Sequence, residues 1–172
     1  MTRVLLVLAL LLPVVAAAQV RRPDLDQVEE RIVEGTNAFR HSQRLPDVAI
    51  DRKLSRAAQS FADYMAKHDE LAHAADGKQP WDRARAQGYD YCLVSENIGY
   101  QFHSRGFETA ELARAFVEGW KHSPGHRKNM MERDAIDIGV AVARSAKTGR
   151  YYAVQMFGRP KVSGRCGRGS RD

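Results

Sequence analysis

AIDIGVAVARSAKTGRYYAVQMFG, residues 135–158, is the stretch that decides the fold of this 172-residue chain. Residues 136–143 alternate branched apolar side chains with small or polar ones, a period of two that is typical of a β-strand. Residues 151–158 are rich in aromatic and branched side chains, and the short turn-forming segment 145–149 separates the two runs. The stretch therefore predicts two antiparallel strands joined as a hairpin.

The chain before this hairpin is mainly helical in its pattern. Residues 21–43, 51–68 and 109–120 carry apolar side chains at three- and four-residue steps, which predicts three amphipathic helices. A short helix that begins at Pro80 and a third strand at residues 91–100 complete the predicted elements. Because helices come first and strands last, the pattern indicates the α+β class, with helices packed on an antiparallel sheet.

The amino-terminal end has the pattern of a signal peptide. Arg3 precedes an apolar run, residues 4–18, that ends in three alanines, and cleavage is expected after Ala18. A retained membrane anchor is the alternative, but the run is shorter than the ~20 residues that a bilayer span needs. Pro13 also interrupts it. We therefore expect residues 1–18 to be a signal peptide and the mature protein to be secreted or periplasmic, without a transmembrane anchor.

The chain is basic, with a formal charge of +6, and part of the excess lies among glycines and serines in residues 161–172. We expect these residues to form a basic, flexible tail after a single domain at residues 24–160. The alternative is that the tail draws the protein to an anionic surface, such as lipid headgroups or cell-wall polymers. Nucleic acid is not an expected partner, because the protein is exported and no aromatic residues are interleaved with the arginines of the tail.

The chain has two cysteines, Cys92 and Cys166. In an oxidising compartment an even number of cysteines suggests a disulfide, which would tie the tail to the middle of the domain. Two unpaired thiols are the alternative. We favour the disulfide.

Residues 122–131, HSPGHRKNMM, place two histidines four residues apart, a spacing that on one regular helix would present both to a zinc ion. Pro124 argues against that arrangement, because a proline disfavours helical angles in the residue before it. Ser123 is then expected to be an N-cap whose hydroxyl accepts a backbone N–H near His126. His122 and His126 therefore belong to different helices, and a zinc site on one helix is not expected.

Several segments, each weak alone, occur together in an order and spacing typical of one protein family. They are residues 73–91 (HAADGKQPWDRARAQGYDY), residues 95–100 (SENIGY), Trp120 followed by residues 122–131, and residues 137–143 (DIGVAVA) followed by residues 151–158 (YYAVQMFG). Through them the chain, from about Val28 to Gly158, resembles the CAP superfamily of cysteine-rich secretory proteins, antigen 5 and plant pathogenesis-related proteins. It is most similar to the short bacterial, SCP-like members.

This resemblance implies an α–β–α sandwich in which helices flank a small antiparallel sheet of three to four strands. It also implies a shallow cavity that in many relatives is lined by two histidines and two acidic residues, and that in some holds a divalent metal. The matching residues here are His73, His126 and Glu96, whereas the position of the second acid holds Ser123.

We therefore expect His73, Glu96 and His126 to bind a divalent ion, Zn²⁺ or Mg²⁺, only weakly, with water or a ligand atom completing its coordination. No other cofactor is expected. Glu96 is alternatively a hydrogen-bond acceptor that fixes the tautomer of one imidazole.

The favoured function is binding rather than catalysis. The expected ligand is a lipid, another cell-envelope component or a protein, held by a monomer through the histidine–glutamate cavity. The first alternative is a metal- or histidine-assisted hydrolase of protease type, in which His126 or Glu96 is the general base for a water and His73 assists. The second alternative is a structural envelope protein without chemistry in the cavity.

Overall fold

The computed structural model describes residues 22–166. The predicted signal peptide, residues 1–18, and the end of the predicted tail, residues 167–172, lie outside the described residues. Within the described part, no helix is both long enough and apolar enough to cross a bilayer. The elements, in chain order, are α1 Leu25–Ser42, β1 Ala49–Ile50, α2 Arg52–His68, α3 Pro80–Ala86, β2 Tyr91–Gln101, α4 Thr109–His122, α5 Pro124–Met130, β3 Asp137–Arg144 and β4 Tyr151–Pro160.

The strands form one sheet in the order β1-β3-β4-β2. The predicted hairpin is confirmed, since β3 and β4 pair antiparallel from Asp137 opposite Gly158 to Arg144 opposite Tyr151. The predicted third strand is β2, which pairs antiparallel with the other side of β4. The expectation of a wholly antiparallel sheet is wrong in one detail, because the two-residue β1 runs parallel to β3. The long segment between β1 and β3 provides the crossover that a parallel pair requires.

Helices cover both faces of the sheet, which is the α–β–α sandwich that the resemblance implied. Ile32 of α1 and Phe116 of α4 share one core with Val142 of β3. Phe61 of α2 shares the other core with Ala141 of the same strand. Because successive side chains of a strand point to opposite faces, β3 is buried on both of them.

The face of the sheet that α2 covers is lined by small residues, because the helix lies very close to it. A Cβ atom added at Gly139 of β3 would lie 2.2 Å from the backbone carbonyl carbon of Leu54 in α2. On the helix itself, Ala57, Ala58 and Ala62 are fully or almost fully buried. The alternation along β3 therefore reflects two buried faces. Large apolar side chains point to one face, and small residues point to the other, where α2 lies close.

The outer side of β3 is paired with β1 only along Asp137 and Ile138. Farther along the strand, a side chain of α1 takes the place of a strand partner. The Glu29 carboxylate accepts a hydrogen bond from the Val142 N–H at 2.9 Å. Burial raises the pKa of Glu29 to about 7, although the hydrogen bond from Val142 acts in the opposite direction.

Beyond β4 the chain turns back against the start of β2. The Lys161 N–H donates to the carbonyl oxygen of Asp90 at 2.9 Å. Cys166 forms a disulfide with Cys92, with 5.4 Å between the two Cα atoms, so the predicted disulfide is confirmed. The first part of the predicted tail is therefore tied to the domain. Flexibility stays a prediction for residues 167–172, which are not described.

Candidate functional site

The histidine and glutamate side chains of the predicted site come from three separate elements. Glu96 lies in the middle of β2, opposite Met156 of β4. His73 lies in the loop after α2, and His126 lies in the first turn of α5. The chain leaves α2 at Asp69, whose left-handed backbone (φ 54°) ends the helix. The site therefore exists only when the loop, the strand and the short helix are assembled.

The start of α5 follows the prediction in its backbone but not in its side chain. Ser123 has extended angles (φ −92°, ψ 118°) and is the N-cap of α5, which begins at Pro124. The Ser123 hydroxyl makes no capping hydrogen bond, so the expected bond to an N–H near His126 is wrong. His122 ends α4, where its Nδ1 lies 2.7 Å from the carbonyl oxygen of Glu118. The two histidines lie on different helices, as the proline predicted.

A contact between His73 and Glu96 is the centre of the site. The Nδ1 atom of His73 lies 2.8 Å from Oε1 of Glu96. The Glu96 side chain is fully buried, whereas the His73 side chain is 50% exposed. A carboxylate that accepts from Nδ1 fixes the imidazole in one orientation and leaves Nε2 as the nitrogen available to a ligand.

A buried arginine of α3, Arg83, compensates the cost of burying this carboxylate. Its Nη2 donates to both oxygens of Glu96, at 3.1 and 3.0 Å. Its Nη1 donates to Oδ1 of Asp76 at 2.6 Å. The Arg83 side chain is only 4% exposed, so both ion pairs are largely shielded from water. A buried carboxylate without such a partner would be strongly disfavoured.

The same guanidinium also fixes the loop that carries His73. Nη2 of Arg83 donates to the carbonyl oxygen of His73 at 2.8 Å, and Nη1 donates to that of Lys78 at 3.0 Å. The guanidinium carbon lies 3.5 Å from the centre of the Phe61 ring in α2, a cation–π contact. Arg83 therefore joins the loop, α2 and β2 around the site.

His126 is partly buried and lies within range of the charge on His73. Its burial, and to a smaller extent the charge of His73, lower the pKa of His126. The helix that carries it is bonded to the strand of Glu96: Asn97 Nδ2 donates to the His126 carbonyl oxygen, and Asn129 Nδ2 donates to that of Glu96, each at 3.1 Å. These contacts fix the backbone of α5 at His126 against β2.

A row of buried and partly buried polar side chains continues from this point across one face of the sheet to α1. Asn129 Nδ2 donates to Oδ1 of Asn97 at 2.9 Å. Asn97 Nδ2 donates to Oε1 of Gln155 at 2.9 Å, and Gln155 Nε2 donates to Oγ1 of Thr36 at 2.8 Å. The Thr36 hydroxyl donates to the Ile32 carbonyl oxygen at 2.7 Å. This row bonds α5 to β2, β4 and α1.

Arg83 and Asn129 position the site, and neither was predicted from the sequence. Pro80, Arg83 and Ala84 have the i, i+3, i+4 spacing of a buried helix face, and all three are buried. Applied to this short helix, that spacing would have placed the arginine inside. Asn129 lies three residues after His126, so the two share one side of α5.

The structure brings His73 and Glu96 into contact and His126 within range of the charge on His73. Both oxygens of Glu96 accept from Arg83, and Oε1 also contacts Nδ1 of His73, so a metal would share this carboxylate with both partners. Within residues 22–166, no group of three or more His, Cys, Asp or Glu side chains is arranged to hold a metal ion. The site offers two imidazoles, and metal binding stays a prediction.

Comparison with known sequences identifies relatives of the chain. The family model described as "CAP: Cysteine-rich secretory protein family" matches residues 33–157. The uncharacterized protein YkwD of Bacillus subtilis (strain 168) is 31% identical over 132 residues, which is 76% of this chain and 47% of that protein. The chain therefore spans about half the length of this curated relative.

Solved structures share the fold. An outer surface protein from Borrelia burgdorferi has a TM-score of 0.70 at 18% identity, covering 82% of this chain and 98% of that one. An extracellular protein containing an SCP domain from Bacillus anthracis has a TM-score of 0.67 at 24% identity, covering 78% of this chain and 41% of that one. At such identities the likeness shows the fold alone.

Proposed function

The chain belongs to the CAP family of cysteine-rich secretory proteins, and from this premise we propose that it is an exported protein that binds a ligand through the His73–Glu96–His126 cluster. One observation carries the proposal: the buried Arg83–Glu96 ion pair holds a single half-exposed imidazole, that of His73. Burying two charges is costly, and here the buried pair orients an imidazole that solvent can reach.

Export is supported by what the relatives are and by the chemistry of this chain. The Borrelia burgdorferi relative is an outer surface protein, and the Bacillus anthracis relative is extracellular. The predicted signal peptide at residues 1–18 and the disulfide between Cys92 and Cys166 agree with an oxidising compartment.

A divalent ion is the proposed weak occupant of the cluster. Glu96 engages Nδ1 of His73, so Nε2 of His73 and a ring nitrogen of His126 would be the protein ligands. Protein zinc sites usually have three or four ligands, so water or an atom of a bound ligand would complete the coordination. When bound, such an ion would polarise the atom that completes its coordination.

Zinc uptake by equilibrium dialysis with metal analysis tests this part of the proposal. We expect saturable, weak uptake by the wild type and at least about tenfold weaker uptake by His73→Ala and by His126→Ala, because each removes one of two ligands. His122→Ala is the matched control and should behave as the wild type, since His122 lies on another helix. Equal uptake by all four proteins, or none by the wild type, would contradict a metal at this cluster.

Ligand binding as such is tested with envelope material. We expect phospholipid vesicles or peptidoglycan fragments to shift the imidazole NMR signals of His73 and His126 in the wild type. His73→Ala should weaken binding, and His122→Ala should leave it unchanged. If neither material binds, or if replacing all three residues of the cluster changes nothing, the chain is better described as a structural envelope protein.

A hydrolase is the second candidate, and one observation favours it. Burial lowers the pKa of His126, so its imidazole stays in the neutral, proton-accepting form to a lower pH than a free histidine does. A fluorogenic peptide library tests this candidate: an enzyme would show turnover that falls as the pH is lowered and that is lost in a folded His126→Ala variant. Turnover that persists in that variant would reject this role for the cluster.

A further inference from the structure

A pocket that includes none of the three cluster residues lies where β2 ends. It has a volume of about 370 Å³, within the range of small-molecule sites. The β3–β4 turn, the loop after β2 and the residues before α1 form it. Gln101, which ends β2, lies five residues beyond Glu96, about 16 Å along a strand. We call this pocket the basic pocket, because Arg22, His103, Arg105, Arg144 and Lys147 line it. Phe102 lines it as well.

Two of the cations in the basic pocket already face a carboxylate. Arg105 forms an ion pair with Glu111, with 3.0 Å between Nη2 and Oε1. A hydrogen bond from Thr148 and, more weakly, the charge of Lys147 lower the pKa of Asp69, so Lys147 lies within electrostatic range of that acid. These two positive charges are therefore partly neutralised by the protein itself.

The other two cations have no acidic partner in the part of the chain that the structure describes. No ion pair within residues 22–166 involves Arg22 or Arg144. No aspartate or glutamate lines the pocket. The pocket thus has an excess of about two positive charges, which matches the charge of roughly −1.5 to −2 that a phosphate monoester carries at neutral pH.

Exposed aromatic rings adjoin these cations. Phe102, which lines the pocket, is 56% exposed, and Tyr100, two residues earlier, is 44% exposed. The guanidinium of Arg144 lies 5.7 Å from the ring centre of Tyr151, and that of Arg150 lies 4.9 Å from the ring centre of Tyr100. An anion with an organic substituent would meet both charge and apolar surface here.

The turn that carries Lys147 is held in one shape by its own hydrogen bonds. The Ser145 hydroxyl oxygen accepts from the N–H groups of Lys147 and Thr148, each at 3.2 Å. The Gly149 N–H donates to the Ser145 carbonyl oxygen at 3.0 Å. The Thr148 hydroxyl donates to Oδ1 of Asp69, which fastens the turn to the end of α2. A preorganised turn lowers the entropic cost of binding.

We propose that the basic pocket binds a phosphate group, carried by a soluble phosphate ester or by a lipid headgroup. Arg22 and Arg144 supply the uncompensated charge, and Phe102 lies against the organic part of the ligand. Arginine suits this role because its planar fork matches the oxygens of a phosphate.

Two probes applied to the mature chain test the proposal and separate the sources. The soluble probe is phenyl phosphate, followed by NMR titration, and the second probe is co-sedimentation with phosphatidylcholine vesicles that contain or lack phosphatidic acid. We expect Arg144→Gln to weaken binding at least about tenfold, since a charge-assisted hydrogen bond is lost. Arg144 is exposed, so the variant should fold. Lys53→Gln, which removes one charge from the exposed start of α2, is the matched control and should bind within about twofold of the wild type.

Each outcome decides the matter. Saturable binding of phenyl phosphate that depends on Arg144 assigns a soluble ester, and binding only to phosphatidic acid vesicles with the same dependence assigns a headgroup. No binding to either probe overturns the proposal, and so does equal weakening by Arg144→Gln and Lys53→Gln, which would indicate net charge alone. His73→Ala should bind phenyl phosphate as the wild type does, so this arm of the test does not depend on the function proposed for the other cluster.

Discussion

At the scale of single residues, the site depends on a charge that hardly reaches solvent. Arg83 donates to two carboxylates and two backbone carbonyl groups while its face lies on an aromatic ring. The residue that we propose to meet a ligand, His73, is half exposed and has one ring nitrogen engaged by Glu96. Removing Arg83 should therefore disturb stability and the geometry of the site together.

We expect Arg83→Met to lower the free energy of unfolding by about 3–5 kcal/mol, because it leaves Glu96 buried without its partner. Urea unfolding measures the loss, and adding Glu96→Gln to the same variant should recover part of it. Arg85→Met is the matched control on the same helix: the Arg85–Asp82 pair is 65% and 43% exposed, and its loss should cost less than about 1 kcal/mol. Equal losses in the two variants would show that the buried ion pair contributes no more to stability than the exposed pair does.

A second residue-scale prediction concerns pH. The pKa of Glu29 is raised from 4.5 to about 7, so between these values the folded state keeps a proton that the unfolded state releases. The stability that Glu29 contributes is therefore complete below pH 4.5 and is lost as the pH rises to about 7. Urea unfolding across this window should show a flatter pH dependence in Glu29→Gln than in the wild type. Glu30→Gln, at an exposed neighbouring position, is the control. If stability changes with pH equally steeply in Glu29→Gln and Glu30→Gln, the raised pKa of Glu29 is contradicted.

The sequence identified the residues of the site through their resemblance to a family, but it did not give their partners. His73 and Glu96 do meet, and the alternative in which Glu96 orients an imidazole agrees with the 2.8 Å contact. Arg83 was missed because its partners, Asp76 and Glu96, lie on a loop and a strand that only the fold brings to α3. The capping role of the Ser123 hydroxyl was wrong although its backbone was correctly predicted.

At the scale of elements, those with a clear period were predictable and those without one were not. The hairpin of β3 and β4 was read directly from residues 136–143 and 151–158. The two residues of β1, Ala49 and Ile50, are too few to have a period, so neither that strand nor its parallel pairing was predicted. The alternation of small and apolar residues in β3 was visible in the sequence. Only the structure shows why the small residues are there: α2 approaches the strand closely.

Gly139→Ala tests that approach. The new methyl group would meet backbone atoms of Leu54, which cannot rotate away as a side chain can. We expect the variant to lose about 1–3 kcal/mol of stability, or more, as overpacked cores do. Thermal unfolding measures the loss, with Gly125→Ala as the control, because nothing lies within 4 Å of a Cβ atom at that position. An unchanged melting temperature for Gly139→Ala would mean that α2 is not held against β3.

At the scale of the whole molecule, the α+β class and the sandwich were predictable, whereas the basic pocket was not. The class followed from the order of helices and strands, and the layers followed from the family resemblance. The pocket combines Arg22 from before α1, Phe102 from after β2, and Arg144 from the end of β3. No local pattern relates residues so far apart, so only the folded chain places their charges together.

The disulfide is the covalent constraint at this scale, and it gives a further prediction. Cys92 and Cys166 are 74 residues apart, so the bridge closes a long loop of the unfolded chain. In the chain-entropy model, replacing both cysteines by serine should cost about 4 kcal/mol of stability. Urea unfolding with and without dithiothreitol measures it, and the reduced wild type should match the double variant. If the oxidised wild type also matches it, the bridge contributes nothing to stability.

The hydrogen bond from Val142 to Glu29 also has a consequence for molecules of this protein that meet each other. An uncovered strand edge is a template on which a second polypeptide can add by backbone pairing, the first step of many aggregates. Beyond its two residues of β1 pairing, β3 would present such an edge, but at Val142 an acid already holds the donor. An incoming strand would first have to displace the Glu29 carboxylate from this N–H. Glu29 therefore disfavours backbone pairing between copies of the protein at this edge.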